Sequence, residues 1–151
     1  MFGSFVRRLL LVVSLAAGTT IGAGSVVAQE EETPPPGMFL DVGNPAPGDT
    51  IHVGGINIEG IAFDRASEEG PGIERIDIFL EDRDQAGTLV GHAGLGMESP
   101  AADDPPIANA GWAAQVTLTR NMTGPHTLFF YAMSGVTGEE VVVTVPVLVA
   151  P

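Results

Sequence analysis

Residues 124–149 read GPHTLFFYAMSGVTGEEVVVTVPVLV. Leu128, Phe130 and Ala132 alternate with Phe129, Tyr131 and Met133. Beyond the turn-forming stretch Ser134 to Glu140, Val141, Val143, Val145, Val147 and Val149 all fall on one side of the next segment. A period of two belongs to β-strands, whose successive side chains point to opposite faces. Gly135 and Gly138 lie in the turn, and the second segment is rich in β-branched residues, so the stretch reads as a hairpin. Pro146 has no N–H to give to a ladder, which predicts a sheet edge or a break in pairing there.

The same periodicity runs back through the chain. Met38 to Val42 is a short first strand, and Asn44 to Asp49 is dense in turn residues. Apolar residues alternate from Ile51 to Phe63, interrupted by Gly54, Gly55 and Gly60, which mark a bulge or a bend between sheets. In Ile73 to Glu81, Ile76, Ile78 and Leu80 form the core face, with Asp77, Phe79 and Glu81 opposite. Thr88 to Met97 is a weak, glycine-rich strand, Glu98 to Asn109 a long loop, and Trp112, Ala114, Val116 and Leu118 alternate again. About seven short antiparallel strands separated by turn chemistry, with no helical period, predict an all-β sandwich of immunoglobulin-like type. A domain of this size buries about two thirds of its unfolded surface, enough to fold without staples.

The segments GIERIDIFL, Ala110-Gly111-Trp112, and GPHTL with its valine strand are similar to bacterial immunoglobulin-like domains of exported and cell-surface proteins. The likeness covers most of residues 38–149. It departs from antibody domains in lacking the cysteine pair, so Trp112 is not a tryptophan packed on a disulfide. The resemblance implies a secreted or envelope-associated, non-catalytic module that binds a protein or surface ligand, as in adhesion.

Before this domain, residues 37–151, two appendages are expected. Met1 to Ala28 has Arg7 and Arg8, an apolar run from Leu9 to Ala17 and a small-residue end, the layout of a secretory signal peptide. Cleavage is expected after Ala28; an uncleaved anchor is the alternative, and export to the cell surface, medium or periplasm follows from both. Gln29 to Pro36, QEEETPPP, is an acidic, proline-rich spacer.

The chain of 151 residues carries a net charge of −13, with no lysine. Such an acidic protein repels nucleic acid and anionic membrane surfaces, and favours cations or basic partners. The absence of cysteine excludes disulfides, thiolate metal sites and a cysteine nucleophile. No nucleophile elbow, His-Glu-x-x-His or phosphate loop occurs, so the sequence predicts no enzyme and no catalytic residues.

Two arrangements of ligand-type side chains point to a metal-binding protein as the alternative function. His52, His92 and His126 are imidazole donors for copper or zinc, but lie on three separate strands without ligand spacing. Asp82 and Asp84 open a calcium-loop-like DRDQAG. Ala86 and Ala93 stand where an EF-hand needs oxygen ligands, so an EF-hand is excluded. A calcium site at the end of the sandwich would draw on Asp82 and Asp84 with Asp103, Asp104 or Asp64. A solvated acidic turn is the simpler reading, and no cofactor is expected.

The core faces assign a second surface. With Ile78, Leu80, Leu128 and Phe130 inward, Phe79, Phe129, Tyr131, Val142 and Leu148 are expected to share the outer surface of one sheet. An exposed apolar and aromatic face of this kind is a candidate contact surface. The alternative is that Glu98 to Asn109 or the N-terminal spacer folds over it. Because both sets of the Phe129 strand are apolar, its two faces stay open at this point.

Overall fold

The computed structural model describes residues 37–99 and 108–151. The expected signal peptide and spacer, as well as Asp103 and Asp104, lie outside them. Nine strands form among the described residues: β1 (Met38–Asn44), β2 (Thr50–His52), β3 (Gly54–Asp64), β4 (Ile73–Leu80), β5 (Thr88–His92), β6 (Gly94–Met97), β7 (Gly111–Leu118), β8 (Gly124–Ser134) and β9 (Glu140–Ala150). They make an all-β sandwich of two sheets, ordered β1-β3-β7-β6 and β2-β9-β8-β4-β5.

The strand count exceeds the seven expected because two apolar runs each cross between sheets. Ile51 to Phe63 divides at Gly54, whose φ of +117° only glycine adopts without strain, so β2 joins one sheet and β3 the other. Thr88 to Met97 divides at Ala93 in the same way, into β5 and β6. The first crossing falls at the glycines that mark a bulge or bend, where the alternation changes phase from Ile51 and Val53 to Ile56 and Ile58; the second, at Ala93, was not expected from the sequence. One pairing also corrects the antiparallel expectation, since β2 runs parallel to β9.

The alternating residues fill the space between the sheets. Ile76, Ile78 and Leu80 from β4, Trp112, Ala114, Val116 and Leu118 from β7, and Leu128, Phe130 and Ala132 from β8 are all buried there. Val141, Val145, Val147 and Val149 of β9 join them, while Val143 is partly buried against the same cluster. Trp112 packs on Phe130 with ring centroids 5.7 Å apart.

Gly60 on β3 lies opposite Trp112 on β7. A Cβ placed there would sit 2.0 Å from the Asp41 carbonyl and 2.8 Å from Trp112 Cζ2, so the indole occupies the space that glycine leaves. At Gly43 the nearest atom to such a Cβ is 3.6 Å away, an ordinary contact. Gly60→Ala is therefore expected to destabilise the domain by about 1–3 kcal/mol or more, and Gly43→Ala to change stability by no more than about 0.5 kcal/mol. Urea unfolding followed by the fluorescence of the one tryptophan measures both.

Candidate functional site

The outward face of the five-stranded sheet is the surface the sequence nominated, and register decides what it presents. Leu89 of β5 lies opposite Phe79 of β4, Phe79 opposite Phe129 of β8, and Phe129 opposite Thr144 of β9. The next row runs His92, Asp77, Tyr131, Val142. Phe79 meets Tyr131 edge-on at 5.5 Å and Phe129 stacks on Tyr131 at 6.2 Å, so the three rings form one cluster.

Two of the five expected face residues differ from expectation. Tyr131 points outward but is only 3% exposed. The 3-10 turn at Arg83–Gln85 lays the Arg83 guanidinium over its ring, 4.0 Å from the centroid. Arg83 is held there by Glu140, with Nη1 donating to Oε2 at 2.8 Å and Nη2 donating to Oε1. The phenol donates to Asp82 Oδ1 at 3.0 Å and accepts from the Arg83 backbone N–H at 3.1 Å. Leu148 is 46% exposed on the same face, but it pairs with Pro125 and Thr50, roughly 13 Å along β9 from Thr144. It stands apart from the rings. Phe79, Phe129 and Val142 are half-buried.

Leu89 was missed in the sequence and is 45% exposed at the edge of the phenylalanine row. No local signal identified it, because its place beside Phe79 follows from a register shift between β4 and β5. Arg83 was missed for a similar reason: Glu140, which holds it, lies 57 residues away.

The ligand-type side chains do not converge. His52 on β2 and His92 on β5 stand on opposite edges of the five-stranded sheet, roughly 19 Å apart across the strands, and their rows meet β9 at Ala150 and Val142, roughly 26 Å apart along it. His92 pairs with Asp77 at 2.7 Å, His126 with Glu81 at 2.8 Å, and His52 Nδ1 lies 3.1 Å from the Pro151 carbonyl. Asp82 caps the 3-10 turn, accepting from the Asp84 N–H at 2.9 Å, and Asp84 lies 3.9 Å from Arg83 Nε. Among the described residues no three of His, Asp and Glu gather in a way that could hold a metal ion.

Asp64, a further carboxylate considered for calcium, is 1% exposed and bound within the protein. Its Oδ2 accepts from Ser134 Oγ at 2.6 Å and Thr137 Oγ1 at 3.3 Å, and its Oδ1 from the Ala66 N–H at 2.9 Å. Ser134 Oγ in turn accepts from the N–H groups of Val136 and Thr137. The carboxylate thus ties the end of β3 to the β8–β9 turn. Asp64→Ala leaves these hydroxyls without their acceptor and is expected to cost about 1–3 kcal/mol. Hydrogen exchange should become faster at the Val136 and Thr137 amides.

No protein-family profile matches the chain, and no curated protein does. Among solved structures it is similar to part of the endo-beta-1,4-mannanase from Thermotoga petrophila, with a TM-score of 0.50 and 15% identity over 75% of this chain and 20% of that one. At that identity the likeness concerns the fold alone, and this chain spans about a fifth of the mannanase's length.

Burial, with the hydrogen bond to Asp82 adding to it, pushes the Tyr131 phenol up to about 12 from its ordinary 10. Between these values the unfolded chain has released the proton and the folded one keeps it. Stability is therefore full below pH 10 and falls as pH rises through 12, by roughly 1–3 kcal/mol. Tyr131 is the one tyrosine of the chain, so phenolate absorbance follows it alone. The folded protein should titrate near 12, and the urea-unfolded protein near 10.

Proposed function

We propose that this chain is an exported, non-catalytic immunoglobulin-like module that holds a protein or surface ligand against the outward face of its five-stranded sheet. The strand order supports the immunoglobulin-like reading. Lettered in chain order, β1-β3-β7-β6 takes the places of A, B, E and D, and β9-β8-β4 those of G, F and C. β2 and β5 flank this second sheet as its outer strands.

The observation that carries the binding role is the row Leu89, Phe79 and Phe129, an apolar strip crossing three adjacent strands on a face pointing away from the core. The neighbouring tyrosine is sealed by an arginine, whereas Leu89 at the strip's edge stays open to solvent. A half-buried aromatic strip rimmed by polar groups has the composition of an interface centre. Around it lie Asp77, His92 and the Arg83–Glu140 pair, which supply a polar rim.

The test is saturable binding of fluorescently labelled protein to washed cells and envelope fractions of the source organism. Leu89→Asp and Phe129→Asp should each weaken it by about tenfold or more, with circular dichroism unchanged. Binding that both variants retain in full, or no binding by the unaltered protein, would count against this face.

A further inference from the structure

β9 has neighbours of unequal extent on its two sides. β8 pairs with it from Glu140 to Val149, whereas β2 reaches only Leu148 to Ala150. Ahead of β2 the chain adds two bonds: Gly48 donates to the Pro146 carbonyl at 2.7 Å, and Leu148 donates to that of Asp49 at 2.9 Å. These contacts fix the parity of the strand, since backbone groups alternate between the two sides. Even-numbered residues of β9 direct their N–H and C=O away from β8, and odd-numbered ones direct them toward it. Val142 and Thr144 therefore present both groups at an edge where no strand of the described residues pairs with them. The N–H that Pro146 lacks belongs to the same side. Its absence leaves the β8 ladder whole and closes the open edge at that end.

We infer that this open edge, residues 140–145, pairs with the same edge of a second copy of the chain, in an antiparallel register about a two-fold axis at Val143. In that register Val142 of each copy faces Thr144 of the other, and both are residues whose backbone groups point outward. Each such pair exchanges both backbone hydrogen bonds. Two residues further, Glu140 faces a proline with no N–H to offer, so the pairing ends where the open edge ends.

Charge does not oppose a second copy at this edge. The chain carries −13, so two copies repel wherever their acids meet. Val141 to Val145 contains no charged side chain, and the Glu140 at its border is already neutralised by Arg83. Edges that must stay unpaired usually carry a charge, above all lysine, and this one carries none. The contact is isologous, which closes the pair at two copies. It would also join two five-stranded sheets into one, setting the two aromatic strips side by side.

Sedimentation equilibrium of the purified protein tests this directly. The unaltered protein should reach twice its single-chain mass with rising concentration, and the association should tighten as salt rises from about 0.01 M to about 0.15 M and screens the acids. Thr144→Pro removes an N–H on the open side and none on the β8 side. Thr144→Glu keeps the backbone and adds a like charge to the window. Each should raise the dimer dissociation constant about tenfold or more, the glutamate most at low salt, with circular dichroism reporting that the domain remains folded. A single-chain mass at every concentration overturns the proposal, as does a dimer that both variants leave intact. A dimer lost in Leu89→Asp but kept in the Thr144 variants would assign association to the aromatic face, and would overturn it too.

Discussion

Trp112 on β7 and Phe130 on β8 meet between the sheets, and the sandwich depends on contacts of this kind because the chain has no cysteine to link its layers. Removing a buried aromatic side chain typically costs about 3–5 kcal/mol, a large share of the roughly 5–15 kcal/mol that separates a folded domain from its unfolded chain. The indole can lie this deep only because β3 carries glycine at position 60. Its Nε1 has no partner among the described residues, so the contribution of Trp112 is one of packing.

Polar groups do a different task at the ends and on the outside of the sandwich. Asp64 holds the β8–β9 turn to the end of β3, and the Arg83–Glu140 pair, stacked over Tyr131, pins the 3-10 turn after β4 to the start of β9. Both draw together segments far apart in sequence. The second also divides the outer face: where arginine lies, the aromatic surface is closed, and the row from Leu89 to Phe129 runs beyond its cover.

The edge and the face of the five-stranded sheet are physically separate surfaces. One offers backbone hydrogen bonds in a strand plane, and the other offers apolar side chains perpendicular to it. In the proposed pair the first would join two copies and the second would be presented in duplicate, which raises effective concentration at a surface. The acidic charge limits where such contacts form, because only uncharged or locally neutralised patches approach one another without repulsion.

The sequence by itself determined which residues form the core. Alternation is a local property of a strand, and Ile76, Ile78, Leu80, Trp112 and Val116 could be assigned inward without knowing any pairing, whereas on β8 both alternating sets are apolar and only the tertiary structure turned Leu128 and Phe130 inward. The hairpin and the break in pairing at Pro146 were legible for the same reason, since a missing N–H acts at its own position, although β9 lies between β2 and β8 and is not an edge strand along its whole length. Only the tertiary structure decided which sheet each strand joins, because glycines at 54 and 55 fit a bulge as well as a crossing and nothing local set β5 apart from β6. It alone also decided that Tyr131 is covered, that Leu89 extends the phenylalanine row and that Leu148 stands apart from it. Those outcomes rest on cross-strand register and on an ion pair between residues 57 apart, and no local pattern encodes either.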